Sequence, residues 1–405
     1  MRAARYYGKE DVRIEHDVPA PPQQLGEGQV RVQPAFVGIC GTGMLLLMFG
    51  HSVQISTNPL FRLARVLCWT KVRHSKPSPL SHSARADLPS FSPTTPHSVT
   101  KEKLPITIGH EFSGTIVSLG PKPPRHLRPG MRVAIQPSIY CGACPACKVG
   151  AENACPSGGF VGLSGGGGGM SDQIILPSEA CHPLPSNVGL DVGALVEPLS
   201  VAWHAVDASP IAEYTEEGPK CLVLGGGPIG LAVVQALQAR GASKIIMSEI
   251  SAKRQQFARQ LGAGHVLDPR QFDLVASSQQ LCGGAGPDIV FDCAGVAKSL
   301  ETACRAVRVR GTVINVAIWE EKVPFDPNWL VFREAKYMAV LGYQRKDYEG
   351  VIQALTEGRI QPEKMITSII GLDDLVEKGY GALKGAEREK QIKVLIDMSI
   401  GAPGA

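Results

Sequence analysis

The spacing of apolar positions changes character near residue 193. Before it, short alternating runs are broken by proline and glycine. This pattern predicts strands at Val12–Glu15, Gln29–Pro34, Phe36–Ile39, Phe112–Ser118 and Met131–Ile135. Pro19, Pro21 and Pro22 mark a connector, and the run Gly165–Gly169 reads as a flexible surface loop. This part is expected to be β-rich and barrel-like. After Gly193, longer helical patterns at Leu195–Val206, Gly225–Arg240, Ala252–Leu261 and Ser299–Val307 interleave with apolar strands at Cys221–Leu224, Lys244–Ser248, Ile289–Phe291 and Thr312–Val316. Such alternation predicts right-handed βαβ units and a parallel sheet. A helix near Tyr348–Glu357 and an apolar strand at Ile392–Ile396 are expected to return to the first domain. The expected domains are therefore 1–192 and 193–345, with 346–405 as the returning segment.

Composition narrows the class. The chain has 405 residues, 44% hydrophobic and 19% charged, as in a soluble globular protein of two domains. Met1–Glu10 carries charge and no apolar run, which argues against a secretory signal. The longest apolar run near the front, Met44–Phe49, is far shorter than the roughly 20 residues that span a bilayer. Eleven cysteines without a signal point to a reducing compartment, the cytoplasm, and to metal binding rather than disulfides. The net charge is +4, but residues 43–86 contain Arg62, Arg65, Lys71, Arg73, Lys76 and Arg85 and no acid. The rest of the chain is therefore −2, and its charge does not point to nucleic acid.

The chemistry begins with Cys141, Cys144, Cys147 and Cys155, spaced C-x2-C-x2-C-x7-C. Four thiolates at about 2.3 Å suit tetrahedral zinc, and Gly142, Ala143 and Gly150 let a short loop wrap the ion. Gly225-Gly226-Gly227-Pro228-Ile229-Gly230 follows a predicted strand, opens a helix, and precedes Glu249 by 19 residues at the end of the next strand. That context turns G-x-G-x-x-G into a dinucleotide fingerprint. Gly225 permits the tight turn, Gly227 lets the backbone approach a pyrophosphate, and Gly230 lets helix and strand pack closely. Glu249 is expected to accept hydrogen bonds from the adenosine ribose and so to favour NAD over NADP. Arg254 is a candidate for the adenine or its ribose, or else a solvated helix residue.

Three further motifs are individually weak: Gly38-Ile39-Cys40-Gly41-Thr42, Gly109-His110-Glu111-Phe112-Ser113-Gly114 and Val196-Glu197-Pro198-Leu199-Ser200. With the zinc lobe and the fingerprint, in this order, they resemble the zinc-dependent medium-chain alcohol and polyol dehydrogenases. The Leu104-Pro105-Ile106-Thr107-Ile108 segment and Glu197–His204 look most like the butanediol dehydrogenase branch. The resemblance covers residues 1–42 and about 90–398. It implies an α/β fold with a GroES-like β-rich catalytic domain and a doubly wound Rossmann NAD-binding domain. It also implies two zinc ions per subunit, one structural and one catalytic. Cys40 and His110 are the implied catalytic ligands, with Glu111 and Glu197 as candidates for the remaining protein position. Thr42 would relay the hydroxyl proton, Val316 and Ala317 would line the nicotinamide, and Tyr343 matches a substrate-side position. Gly342 stands where sorbitol enzymes carry a polyol-binding arginine, which favours a short vicinal diol such as 2,3-butanediol. A sorbitol, xylitol or threonine dehydrogenase is the near rival. The resemblance further implies a homo-oligomer, a dimer or tetramer, acting on a small alcohol with no nucleic-acid or membrane partner.

One departure stands out. The family continues from Cys-Gly-Thr with Asp-x-His, whereas here Thr42 is followed by Gly43-Met44-Leu45-Leu46, and His110 lies 70 residues beyond Cys40. Residues 43–86 are read as an insertion, expected to be poorly ordered, which displaces the usual pocket helix. A retained intron accounts for it best, with a regulatory insert or a basic arm as alternatives. With the pocket wall lost, an inactive pseudoenzyme that keeps NAD and structural zinc is the rival of another class.

Overall fold

The computed structural model describes residues 1–8, 10–40, 96–319, 322–384 and 386–402. Thr42 and the insertion read at 43–86 lie outside the described residues.

Among these residues, the β-rich half is built on a sheet running in the order Cys181–Pro183, Arg132–Ile135, Glu111–Leu119, Gln29–Gly38, Lys393–Asp397 and Ile366–Gly371, with Ile174–Pro177 also on Gln29–Gly38. A smaller sheet of Asp11–Glu15, Ala3–Gly8 and Ile106–Thr107 lies beside it. Val30, Val32, Val37, Phe112, Ile116, Val133, Val394 and Ile396 form the core between them, all 1% exposed or less. The sequence predicts two strands broken at Pro34. The structure has one strand, Gln29–Gly38, with register shifts at Arg31/Val32 and Pro34/Phe36. The irregularity absorbs the missing proline N–H while the apolar alternation carries on past it.

The expectation of a flexible loop at Gly165–Gly169 is corrected. Gly169 N donates to Gly109 O at 2.7 Å and Met170 N to Ile108 O at 3.0 Å. A Cβ on Gly168 would sit 2.4 Å from Ile108 O, and one on Gly169 would sit 2.5 Å from the Phe112 ring. Gly168 and Gly169 allow close approach to the segment that carries His110, while Gly165, Gly166 and Gly167 hold the left-handed φ of the turn that leads into it.

The second half is a parallel sheet in the order His265–Leu267, Lys244–Ser248, Lys220–Leu224, Ile289–Asp292, Thr312–Asn315 and Lys336–Ala339. In chain order that is 3-2-1-4-5-6, the doubly wound Rossmann arrangement, and the switch point lies between Lys220–Leu224 and Ile289–Asp292. The α/β fold class read from the sequence is therefore the one observed. Leu222, Val223, Ile246, Val290, Phe291 and Val313 are fully buried, as strands covered on both faces must be. Helices Val196–Ala208 and Pro228–Ala239 pack together, and Trp203 and Leu195 join one core with Leu395 of the β-rich sheet. Tyr348, on helix Arg345–Thr356, donates its hydroxyl to Ile135 O at 2.7 Å and ties that helix to the same sheet. Among the described residues, no helix is long and apolar enough to cross a membrane.

Candidate active site

Strand register decides which side chains meet. Gly38 is the partner of Glu111 across the antiparallel pair, so Cys40, just past the end of one strand, and His110, just before the start of the other, share one end of the sheet. Gly38 is also the partner of Leu395 on its other side, which brings Lys393 to the same end. A Cβ at position 38 would fall 2.2 Å from Glu111 Oε2 and push the carboxylate out of its place, so glycine there keeps Glu111 where it is. Gly109 holds φ +103°, a left-handed conformation that turns the chain into His110.

The ligand atoms of Cys40, His110 and Glu111 lie within 4.8 Å of one another, the separation of groups that share one ion. His110 and Glu111 are buried and Cys40 is half-buried. Sequence reasoning did not find the fourth member. Lys393 Nζ lies 2.9 and 2.7 Å from the two oxygens of Glu111, and both side chains are 2% exposed. Burial works against the charge on each partner, but their mutual attraction outweighs it. Glu111 is held below the ordinary carboxylate range and Lys393 above the ordinary ammonium range. The available signal was a lone lysine inside the apolar run Ile392–Ile396.

Glu197 enters from the first turn of helix Val196–Ala208. It is not among the three clustered donors, yet His110, Glu111 and Cys40 all act on it electrostatically. Burial pushes its carboxyl up to about 8; His110 opposes this, and Glu111 and Cys40 add to it. Tyr343, 2% exposed, lies beside Glu197, and burial followed by that carboxylate raises its hydroxyl well above the usual phenol range. Phe160 stands between the two sides of the site, with its ring centroid 6.1 Å from His110 and 6.0 Å from Tyr343. The sequence reading passed over Phe160, since an isolated aromatic carries no spacing signal.

The cysteine lobe passes a separate test of fit. Its Sγ–Sγ separations are 3.5 Å for Cys144–Cys147, 3.8 Å for Cys144–Cys155 and 3.6 Å for Cys141–Cys155. A regular tetrahedron with Zn–S bonds of about 2.3 Å has edges of about 3.8 Å, whereas a disulfide closes to about 2.05 Å. Backbone N–H groups of Ala143 and Cys144 draw the Cys141 thiol down to about 6, while burial raises that of Cys155. Four thiolates this close repel one another, and a divalent cation is what allows all four to ionise.

At the switch point, Gly225 has φ +96° and its N–H donates to Ser248 O at 2.9 Å. A Cβ on Gly230 would fall 1.8 Å from Gly225 O, so helix and turn can pack only with glycine. Gly227 caps helix Pro228–Ala239 with no side-chain partner, and the space its Cβ would take is open, leaving the helix N-terminus accessible to a ligand. Ile229, one residue further, packs against the core. Glu249 accepts from Gly226 N and Ser251 N, both at 2.7 Å, which fixes its carboxylate beside the glycine turn. Val316 and Ala317 both donate to Asp292 O, at 2.9 and 3.1 Å, and so lie at the carboxyl end of the adjacent strand. Arg254 reaches the carbonyls of Arg388 at 3.3 Å and Gln391 at 3.5 Å, so the structure seats it against the returning segment.

Comparison with known proteins agrees with this geometry. The family model described as "Alcohol dehydrogenase GroES-like domain" matches residues 84–186, and "Zinc-binding dehydrogenase" matches 228–357. The (R,R)-butanediol dehydrogenase of Bacillus subtilis is 33% identical over 98% of this chain and 99% of its own length. A crystal structure of 2R,3R-butanediol dehydrogenase from B. subtilis superposes with a TM-score of 0.80 at 32% identity, covering 98% of this chain and 99% of that one. A putative zinc-binding dehydrogenase from Sinorhizobium meliloti, solved with NADP bound, has a TM-score of 0.76 at 26% identity, covering 98% and 99%.

The buried pair yields a prediction. Lys393→Met leaves the Glu111 carboxylate without its counter-charge, and in metal-stripped protein this should cost about 3–5 kcal/mol. A cation held by Cys40, His110 and Glu111 would replace the lost charge. Added zinc should therefore raise the melting temperature of the variant more than that of the parent. An equal rise in both would show that Glu111 does not belong to the metal site.

Proposed function

This chain belongs to the zinc-dependent medium-chain alcohol dehydrogenases, and we propose that within them it interconverts 2,3-butanediol and acetoin using NAD. The observation that carries the reading is the Cys40, His110 and Glu111 cluster, walled by Phe160 and Tyr343, in a chain matched over 98% of its length by a butanediol dehydrogenase. Residues 1–192 and 346–405 form the catalytic unit of this reading, and 193–345 the cofactor unit.

Zinc would supply a Lewis acid for the substrate hydroxyl, and the nicotinamide ring would take the hydride from carbon. The residues do the rest. Cys40 and His110 hold the catalytic metal, and Glu111 offers the third donor while Lys393 tempers its charge. Glu197, on helix Val196–Ala208 beside the cluster, would offer the metal a further oxygen, directly or through water. Thr42 relays the hydroxyl proton, accepting it as it passes its own on towards solvent. Glu249, already fixed by two backbone N–H groups, receives the ribose hydroxyls and disfavours a 2′-phosphate. Val316 and Ala317 back the nicotinamide. Tyr343 and Gly342 leave room for a short diol and offer no cation to a longer polyol. The four cysteines hold the second zinc.

Two tests address the activity. On a panel of diols, sorbitol, xylitol and threonine, 2,3-butanediol should be the preferred substrate. NAD should exceed NADP by more than about tenfold, which needs only about 1.4 kcal/mol. The panel should also be run on a version with 43–86 replaced by the Asp-x-His segment usual in the family, which should gain diol activity. No diol turnover in either version would overturn the reading. Metal analysis should find two zinc ions per chain, and Cys40→Ser should leave one, with turnover abolished and the fold intact. A parent holding one zinc or none would refute the two-site assignment.

The assembly reading is a homo-oligomer formed through the edge strand Lys336–Ala339. That edge is unpaired among the described residues, and next to it Val331 is 62% and Phe332 84% exposed. Sedimentation should give a dimer or tetramer, and Phe332→Asp should dissociate it. A monomeric parent would refute this.

A further inference from the structure

We infer that the four-cysteine lobe is a clamp on the substrate-side segment Leu341–Gln344, and that Asn153 and Gln344 are its positioning residues. This deepens the proposed function and rests on its assignment of Tyr343 to the substrate side.

The lobe adds nothing to either core. Its two short helices, Pro145–Lys148 and Glu152–Ala154, contain no buried residue. What it does have is a fixed base and two outward hydrogen bonds. The base is a two-stranded ribbon in which Ser138 pairs with Phe160 and Ile139 with Gly159, immediately before Cys141 and after Cys155. The first outward bond runs from Asn153 Nδ2 to Leu341 O at 2.8 Å. The second returns from Gln344 Nε2 to Gly150 O at 2.6 Å. The first holds the backbone just before Gly342, and the second holds the Gln344 side chain just after Tyr343.

The ribbon completes the arrangement. Phe160 meets the Tyr343 ring edge-on at 6.0 Å, and a Cβ on Gly342 would touch its Cζ at 3.8 Å. The same ring lies 6.1 Å from His110. Gly150 lies three residues after Cys147, and Asn153 two before Cys155. The thiolates that fix the course of the lobe therefore fix the two groups that hold the segment. Gly342 sits at φ +54°, so the chain turns sharply just before Tyr343, whose ring packs against Tyr348 in the core, and Gln344 then opens helix Arg345–Thr356. Core packing holds the ring and the helix holds the far end, while the lobe adds a restraint on the turn between them, so a metal held there would help set the width of the substrate side as well as the lobe's own fold.

The test uses the full zinc-loaded chain and three variants: Asn153→Asp, which keeps the shape of the side chain and removes its N–H donor; Gln344→Ala; and the pair. Hydrogen exchange by mass spectrometry on the peptide covering 341–347 should speed up by about fivefold or more in each, the size of one net hydrogen bond. Exchange in the Rossmann strands, zinc content and NADH binding should match the parent. The KM for 2,3-butanediol should rise by about fivefold, with kcat changed less than twofold. Unchanged exchange at 341–347 would overturn the clamp, as would unchanged KM in a variant whose exchange has risen. A lobe that merely stabilised the fold would instead speed exchange throughout. Should the parent turn over no diol, the proposed substrate falls on its own, and the exchange result alone decides the clamp.

Discussion

The three-stranded pairing of Glu111–Leu119, Gln29–Gly38 and Lys393–Asp397 is the constraint on which the site depends. Gly38 lies level with Glu111 on one side and Leu395 on the other. That register delivers Cys40, His110, Glu111 and Lys393 to one end of a sheet from three separate stretches of the chain, Lys393 lying 282 residues beyond Glu111. A one-residue slip would turn every side chain of the strand to the opposite face and dissolve the cluster. The glycine at position 38 is the local condition for it, since the Glu111 carboxylate occupies the space a Cβ would need.

A buried carboxylate set beside a thiol and another buried acid is costly unless something neutralises it. Here Lys393 does so for Glu111, whereas Glu197 has no such partner and is pushed towards its neutral form. The two carboxyls, chemically alike, are thereby made unequal. Glu111 is favoured in its charged form next to Cys40 and His110, and burial drives Glu197 towards its neutral one. Ligand-like geometry and charge balance point to the same spot, which is why the metal chemistry of the family fits this chain.

The cofactor end follows a different rule. There the backbone makes the site, through the turn at Gly225, the contact at Gly230 and the open helix N-terminus at Gly227. Side chains only trim it, with Glu249 tied down by Gly226 and Ser251. Between the two ends, the cysteine lobe joins the halves through Asn153 to Leu341 and Gln344 to Gly150, and Tyr348 ties helix Arg345–Thr356 to Ile135 of the β-rich sheet.

The sequence by itself determined what depends on local spacing. Period-two runs before Gly193 and strand–helix alternation after it specify a β-rich half and a parallel sheet. The glycine fingerprint with Glu249 and the four-cysteine spacing each mark a candidate site within one short stretch, because turn geometry and ligand bite are local properties. Tertiary structure decided whatever depends on register and approach. It joined Gln29–Gly38 into one strand across Pro34, turned the Gly165–Gly169 run from a loose loop into a packing surface, and seated Arg254 on the returning segment. It also put Lys393 against Glu111 and set Phe160 between His110 and Tyr343. Beyond the lone lysine inside Ile392–Ile396, these leave little trace in spacing, because most are contacts between segments whose separation along the chain is arbitrary and whose meeting is fixed only when strands pair and cores close.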